Sequence, residues 1–134
     1  MAIGVWEPAN SQSSKSKRID SKKVNEILII AGSVDLSDLM NALSQDFIQT
    51  ENILMKKQST DWACLSDYED DELELLARFF TLAEMQLTGW DGGNLSPVIY
   101  IVKVLKKRKA FGGELRKWIK ASTDNRYLPN GAIL

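Results

Sequence analysis

Hydrophobic residues recur at helical spacing along most of the chain from residue 20 onward. The first set falls at intervals of three and four residues, which places it on one face of a helix. Its members are Val24, Ile27, Leu28 and Ala31. Asp20 or Ser21 can cap the start of this helix, and Gly32 can end it. Because the run is apolar nearly all round, a short buried strand near residues 26–31 is the alternative.

A longer stripe predicts a second helix, with positions that alternate at intervals of four and three. These positions are Leu36, Met40, Leu43, Phe47, Thr50 and Leu54. The repeat predicts one continuous helix that packs its stripe into a bundle. A coiled-coil seam between two copies of the chain is the alternative. The stripe is short and contains a threonine, which favours the bundle.

The remaining periodic segments predict three more helices. Residues 69–87 are apolar on most of the helix surface, which indicates a position at the centre of the core. A Ser-Pro pair then starts a fourth helix over residues 97–109. Its many β-branched residues make a strand near residues 98–104 the alternative. A short fifth helix is predicted over residues 114–121.

These patterns predict an all-α fold, a compact bundle of four to five helices in one domain over residues 20–134. An α+β fold that uses the two short strands is the alternative. Residues 1–19 are polar, rich in serine and without periodicity, so we expect a flexible arm. Trp6 interrupts this composition, and we expect it to anchor the arm on the domain or on a partner. The apolar residues Tyr127 and Leu128 either pack on the bundle or dock into a partner.

The chain of 134 residues contains one cysteine and no histidine. An intrachain disulfide is therefore excluded, and so are Ser-His-Asp catalysis, Cys-His catalysis and histidine-bound metal sites. We predict a protein that is not an enzyme and that needs no cofactor. No apolar run approaches the roughly 20 residues of a membrane span. No signal peptide is seen either, so we predict a cytoplasmic protein without a membrane partner.

Acidic residues concentrate in the stretch SDYEDDELE, residues 66–74. Clustered carboxylates can bind Mg²⁺ or Ca²⁺ through their oxygens. The stretch lacks the alternating aspartates and the glycine of an EF-hand loop, and the dipole at a helix start favours acids without any ligand. We therefore predict no metal site, and interpret the stretch as a helix start or as an acidic surface that faces another protein.

Charge is sorted along the sequence, although the total is only −1. Residues 1–23 carry a net charge of +3, residues 24–96 carry −11, and residues 97–134 carry +7. The basic side chains of the last part are Lys103, Lys106, Lys107, Arg108, Lys109, Arg116, Lys117, Lys120 and Arg126. Because a short turn joins the two helices that bear most of them, we expect these side chains to share one side of the molecule.

Such a basic surface suits a partner of opposite charge, or serves only solubility. Our first hypothesis is a non-enzymatic interaction protein: an adaptor, an inhibitor or a small subunit of a larger assembly, including a nucleoprotein assembly. The alternative is a nucleic-acid-binding module that uses the same cations, with Phe111 and Tyr127 stacking on unpaired bases. The sequence leaves DNA, RNA and protein open as targets. It also leaves open a homo-oligomer in which the basic region of one copy meets the acidic region of another.

Overall fold

The structure of the protein is a computed structural model that describes residues 19–129. Within this range lie six α-helices: α1 (Ser21–Ser33), α2 (Leu39–Ala42), α3 (Gln45–Glu51), α4 (Asp70–Gln86), α5 (Pro97–Lys107) and α6 (Gly113–Ser122). Shorter 3-10 helices lie between them: Leu36–Asp38, Asn52–Lys56, Ser59–Asp67 and Gly93–Leu95. No strand occurs in residues 19–129, and the prediction of an all-α fold is confirmed.

The two stretches for which a strand was the alternative are helical. Residues 26–31 lie inside α1, and residues 98–104 lie inside α5. At the start of α5, the Ser96 hydroxyl oxygen accepts a hydrogen bond from the Val98 N–H at 3.3 Å, and Pro97 occupies the first turn. These start signals and the burial of one face outweigh the strand preference of the β-branched residues.

The helix α4 is the central element, because it packs against α1, α2, α5 and α6. Its buried residues cover much of its circumference, as the sequence predicted: Leu73, Leu76, Ala77, Phe79, Phe80, Thr81 and Ala83. At its start, Glu69 and Glu72 form a capping box: the Glu72 side chain accepts the Glu69 N–H, and the Glu69 side chain accepts the Glu72 N–H. This pairing satisfies N–H groups that have no partner inside the helix.

The last three helices run up, down and up. The end of α5 reaches the start of α4, where the Arg108 guanidinium lies 3.0 Å from the Asp70 carboxylate. The chain after α6 returns to the end of α4, where the Asp124 N–H donates to the Met85 sulfur at 3.4 Å. Both α5 and α6 pack on α4, and they make little contact with each other. The basic side chains therefore stand on two helices whose common neighbour is α4.

The prediction of one continuous second helix is wrong. The backbone becomes extended at Leu43 and Ser44, between α2 and α3. The Ser44 hydroxyl oxygen then caps α3 by accepting the Phe47 N–H at 3.1 Å. Met40, a member of the predicted stripe, is 48% exposed, so the stripe does not pack as one face.

Distant side chains bind backbone groups on both sides of this break. The Gln86 side chain accepts the Leu39 N–H at 2.7 Å and donates to the Leu36 carbonyl at 2.8 Å. The Trp90 indole N–H donates to the Ile48 carbonyl at 2.8 Å. Buried backbone groups need partners, and these long-range bonds supply them where a continuous helix would have done so.

Both ends of the described range are attached to the core. Ile19, the last residue of the predicted arm, is buried, and its N–H donates to the Asp61 carbonyl at 2.8 Å. The rest of that predicted arm lies outside the described residues, so its flexibility stays a prediction. At the other end, Leu128 belongs to the hydrophobic core. Between these ends, none of the helices has the length and apolar character needed to cross a membrane.

Candidate binding surface

The helix α5 turns one face to the core and the other to solvent. Its buried residues include Val98, Ile101, Val102 and Leu105. Four exposed basic residues lie on the outer face and just past the helix end, and we refer to them as the α5 lysines. They are Lys103, Lys106, Lys107 and Lys109. The amphipathic spacing of α5 is therefore what brings these charges to the surface.

Lys109 ends α5 in a backbone conformation that disfavours a side chain. Its φ is 59°, in the left-handed region. The Lys109 N–H donates to the Lys106 carbonyl at 2.9 Å, and the Ala110 N–H donates to the Leu105 carbonyl at 2.8 Å, which is the Schellman pattern. Glycine is the usual residue at this position, and a side chain costs about 1 kcal/mol there. The chain thus keeps a positive charge at this point at the expense of stability.

Arg108 was predicted to belong to the binding surface, but its guanidinium is held by the protein itself. It donates to the Tyr68 carbonyl at 2.6 Å, to the Ser66 carbonyl at 2.7 Å and to the Asp70 carboxylate at 3.0 Å. The side chain is 30% exposed. These bonds join the end of α5 to the start of α4, so we leave Arg108 out of the proposed surface.

A segment rich in acidic residues lies along one flank of α5. The 3-10 helix Ser59–Asp67 packs against α5 and runs in the same direction, with Asp61 near Tyr100 and Ser66 at Arg108. Burial raises the pKa of Tyr100, and the charge of Asp61 raises that pKa further. The acids of this segment and of the α4 start form a set that we refer to as the acidic row. Its members are Asp61, Asp67, Asp70 and Asp71.

The helix α6 has the same amphipathic pattern in different surroundings. Leu115 and Ile119 are buried, and the Arg78 guanidinium lies 4.7 Å from the centre of the half-buried Trp118 ring. The opposite face carries three exposed residues that we refer to as the α6 cations: Arg116, Lys117 and Lys120. Within residues 19–129, no ion pair involves any of these three. Their charge is therefore directed to solvent.

The aromatic rings beside the α5 lysines are partly covered. The Lys103 ammonium lies 5.9 Å from the Tyr100 ring centre, and the Lys106 ammonium lies 5.7 Å from the Phe111 ring centre. Both rings are half-buried and pack against the core. They form cation–π contacts inside the chain, and they offer little free face on which an unpaired base could stack.

The predicted docking residues have different positions. Trp6 lies outside the described residues. Leu128 is 5% exposed and is part of the core, so it is not available to a partner. Tyr127 is half-buried, and the guanidinium of the exposed Arg126 lies 5.2 Å from its ring centre. Of this set, Tyr127 keeps surface that a partner can reach, as does the neighbouring Arg126 of the predicted basic set.

The sequence did not single out Glu84, a largely buried carboxylate. It accepts hydrogen bonds from the Ser96 hydroxyl at 2.5 Å, the Gly92 N–H at 3.0 Å and the Asn125 amide at 3.1 Å. Burial raises the pKa of Glu84, these three hydrogen bonds oppose that rise, and the charge of Asp91 adds to it. The cluster ties the end of α4 to the start of α5 and to the segment after α6, which indicates a structural role.

One glycine is required for this cluster. A side chain at Gly92 would place a Cβ atom 2.8 Å from the Ser96 Cα, which is closer than packed atoms approach. The Gly-Gly pair ahead of the Ser-Pro pair was the only sequence signal for the cluster. Such a pair is typical of an ordinary loop, and nothing in it indicates that Asn125, 41 residues after Glu84, completes the cluster.

Side chains that could carry chemistry elsewhere have structural contacts. The half-buried Cys64 thiol donates to the Ile19 carbonyl at 3.3 Å. Burial raises the pKa of this thiol, which disfavours the reactive thiolate. Across the described part of the chain, no three Asp, Glu or Cys side chains group closely enough to hold a metal ion.

Comparison with known proteins found no family model, no curated protein and no solved structure that matches this chain. A proposal of function therefore has to start from the surface itself. That surface offers two sets of exposed cations, one beside acids and one without acidic partners in the described range, and neither set surrounds a buried reaction centre.

Proposed function

We propose that this protein is a non-enzymatic interaction protein, in which the α6 cations dock on an acidic surface of a partner protein. An adaptor, an inhibitor or a small subunit of a larger assembly would act in this way. The proposal includes a cytoplasmic location, which rests on the sequence pattern alone. No step of it requires a cofactor or a metal ion.

The division of α6 into two faces carries the proposal. Leu115 and Ile119 are buried, so the helix is fixed on α4 before any partner arrives. Arg116, Lys117 and Lys120 are exposed on the other face, and no acid of the described range neutralises them through an ion pair. Cations held on a fixed helix attract an acidic partner and set its orientation at little entropic cost.

Two features favour a protein over a nucleic acid as the partner. Single strands need aromatic faces for base stacking, and the rings of Tyr100 and Phe111 are half-buried. A duplex is negative along its whole backbone, and the acidic row beside the α5 lysines would repel it. A protein surface can instead be acidic only where it meets α6, so that it binds these cations without approaching the acidic row.

A nucleic-acid-binding module is the second candidate, favoured by the number of exposed cations close together in the sequence. It would use the α5 lysines and the α6 cations together. Its binding would weaken steeply with salt, because each neutralised phosphate releases counterions. This dependence gives the test a clear readout.

Fluorescence anisotropy with labelled probes tests the proposal. The probes are a short peptide rich in Glu and Asp, single-stranded DNA and RNA, and duplex DNA, at about 50 and about 200 mM NaCl. We expect the peptide to bind most tightly. The variant Arg116→Glu/Lys117→Glu/Lys120→Glu should weaken peptide binding about tenfold, or about 1.4 kcal/mol. Lys22→Glu, an exposed change on α1, is the matched control and should have no effect.

Two results would overturn the proposal. Tighter binding of a nucleic acid, with a steep loss of affinity at higher salt, would establish the second candidate. Absence of binding to every probe at low salt would identify the basic face as a solvated surface that contributes only to solubility.

A further inference from the structure

Two rows of opposite charge lie side by side on the surface of this protein. The acidic row belongs to the 3-10 helix Ser59–Asp67 and to the start of α4, and the α5 lysines lie next to it. Asp61 lies near Tyr100, and the Ser66 carbonyl binds Arg108, so the two segments that bear these charges run side by side in the same direction.

Ion pairs within residues 19–129 involve only part of this charge. Over residues 19–129, Arg108–Asp70 is the one ion pair at the boundary, at 3.0 Å. Asp67 and Lys107 are exposed, and neither takes part in an ion pair of the described range. Exposed charges attract each other only weakly in water, and they gain strength when a partner removes the water between them.

We propose that a second copy of this chain binds at this boundary and forms a two-fold symmetric dimer. A two-fold axis that runs along the boundary places the α5 lysines of each copy opposite the acidic row of the other. An axis across the boundary would place like charges opposite each other. The charge pattern therefore favours one arrangement and disfavours the other, as a self-complementary interface requires.

Lys109 supports this inference independently. It keeps a side chain at a φ of 59°, where glycine would stabilise the fold. Strained residues of this kind persist where their side chain has a function. Lys109 follows Arg108 directly, at the end of the lysine row, where an acidic row of a second copy would meet it. The α6 cations take no part in this contact, so the dimer would leave them available for the partner proposed above.

Sedimentation velocity over a range of protein concentrations, at about 50 and about 200 mM NaCl, tests the dimer. One variant, Lys103→Glu/Lys107→Glu, reverses two of the four α5 lysines and so cancels the net charge of that row. The other, Asp67→Lys/Asp71→Lys, reverses exposed members of the acidic row and spares the bonds of Arg108. We expect the native chain to dimerise at low salt, and each variant to raise the dissociation constant at least about tenfold.

The mixture of the two variants gives the sharpest result. One variant keeps the acidic row and has a net-neutral α5 row, and the other keeps the α5 lysines and has a net-neutral acidic row. An equimolar mixture places the intact acidic row opposite the intact α5 lysines, so it should recover a dimer that neither variant forms alone. Lys22→Glu on α1 is the control and should dimerise like the native chain. Circular dichroism checks the fold, and Asp67→Lys alone replaces the double variant if the change at Asp71 destabilises α4.

A native chain that stays monomeric at every concentration in low salt would overturn the inference. A dimer that survives both reversals would overturn it as well, because another surface would then hold the copies together. The α6 variant Arg116→Glu/Lys117→Glu/Lys120→Glu separates the two proposals. This variant should dimerise like the native chain but bind the acidic peptide more weakly. The two proposals can therefore fail independently of each other.

Discussion

The end of α5 and the outer face of α6 carry similar basic side chains in different surroundings. The α5 lysines lie beside the acidic row, and the adjacent Arg108 donates three hydrogen bonds inside the fold. The α6 cations have no ion-pair partner within residues 19–129. A run of basic residues that reads as one surface in the sequence is therefore two surfaces, because the neighbours of each helix decide what its charges can do.

The two regions are also attached to α4 by different forces. The end of α5 is held by a charged side chain and by buried apolar residues such as Leu105. The helix α6 is held by Leu115, Ile119 and the half-buried Trp118. The end of α5 therefore carries a cation, Arg108, that supports the fold, whereas no ion pair within residues 19–129 depends on the α6 cations.

The largest effect should come from Arg108. Substitution Arg108→Ala leaves the Ser66 and Tyr68 carbonyls without their charged donor, so we expect the free energy of unfolding to fall by about 2 kcal/mol. Lys107→Ala, one residue earlier, should change it by less than about 0.5 kcal/mol. Urea unfolding measures both, and equal losses would show that Arg108 is an ordinary surface residue.

The next effect concerns binding. Charge reversal of the three α6 cations should weaken binding of the acidic peptide about tenfold, or by about 1.4 kcal/mol. Reversal of Lys103 and Lys107 should weaken it less, since the acidic row already reduces the attraction of that region for an acidic probe. Anisotropy titrations of the two variants compare them directly. A larger loss from the α5 variant would reverse the assignment of the two regions.

Lys109→Gly should have opposite effects on stability and on association. Glycine relieves the left-handed backbone, so we expect the free energy of unfolding to rise by about 1 kcal/mol. Loss of the charge should weaken the dimer in sedimentation velocity. A variant that is more stable and associates equally well would remove Lys109 as support for the dimer.

The smallest effect should come from Glu84. Its loss should affect both regions equally, because its carboxylate ties the start of α5 to the segment after α6. Burial raises the pKa of Glu84 in the folded protein. Its stabilising contribution is therefore fully present below the pKa of the unfolded chain and is lost as pH rises through the folded pKa. Relative to Glu84→Gln, the native chain should lose stability as pH increases from about 4 to about 7 in urea unfolding. A difference between the two proteins that is independent of pH would contradict this.

Local signals in the sequence were sufficient for the helices that position the surface. Asp20 caps α1 by accepting the Lys23 N–H at 3.0 Å, and Ser96 starts α5, as predicted. The centre of the core at α4 followed from a helix that is apolar nearly all round. These features depend on residues within a few positions of each other, which is the range that a periodic pattern can report.

The features that the sequence did not predict depend on distant residues. The segments on either side of the break at Ser44 are bound by Gln86 and Trp90, which lie about 40 to 50 positions later in the chain. The role of Arg108 depends on carbonyls about 40 positions earlier in the chain. No periodicity encodes such pairs, so the candidate surface could be predicted as a set of charges but not divided into its two parts.

Trp118 gives α6 an optical reporter of its own. Its half-buried ring lies 4.7 Å from the Arg78 guanidinium, one position after Lys117. Indole emission responds to nearby charge and to solvent, so we expect occupancy of the α6 face to shift the fluorescence of Trp118. Trp62 and Trp90, at 2% and 0% exposure, should stay unchanged. Docking on α6 can thus be followed in the unlabelled protein.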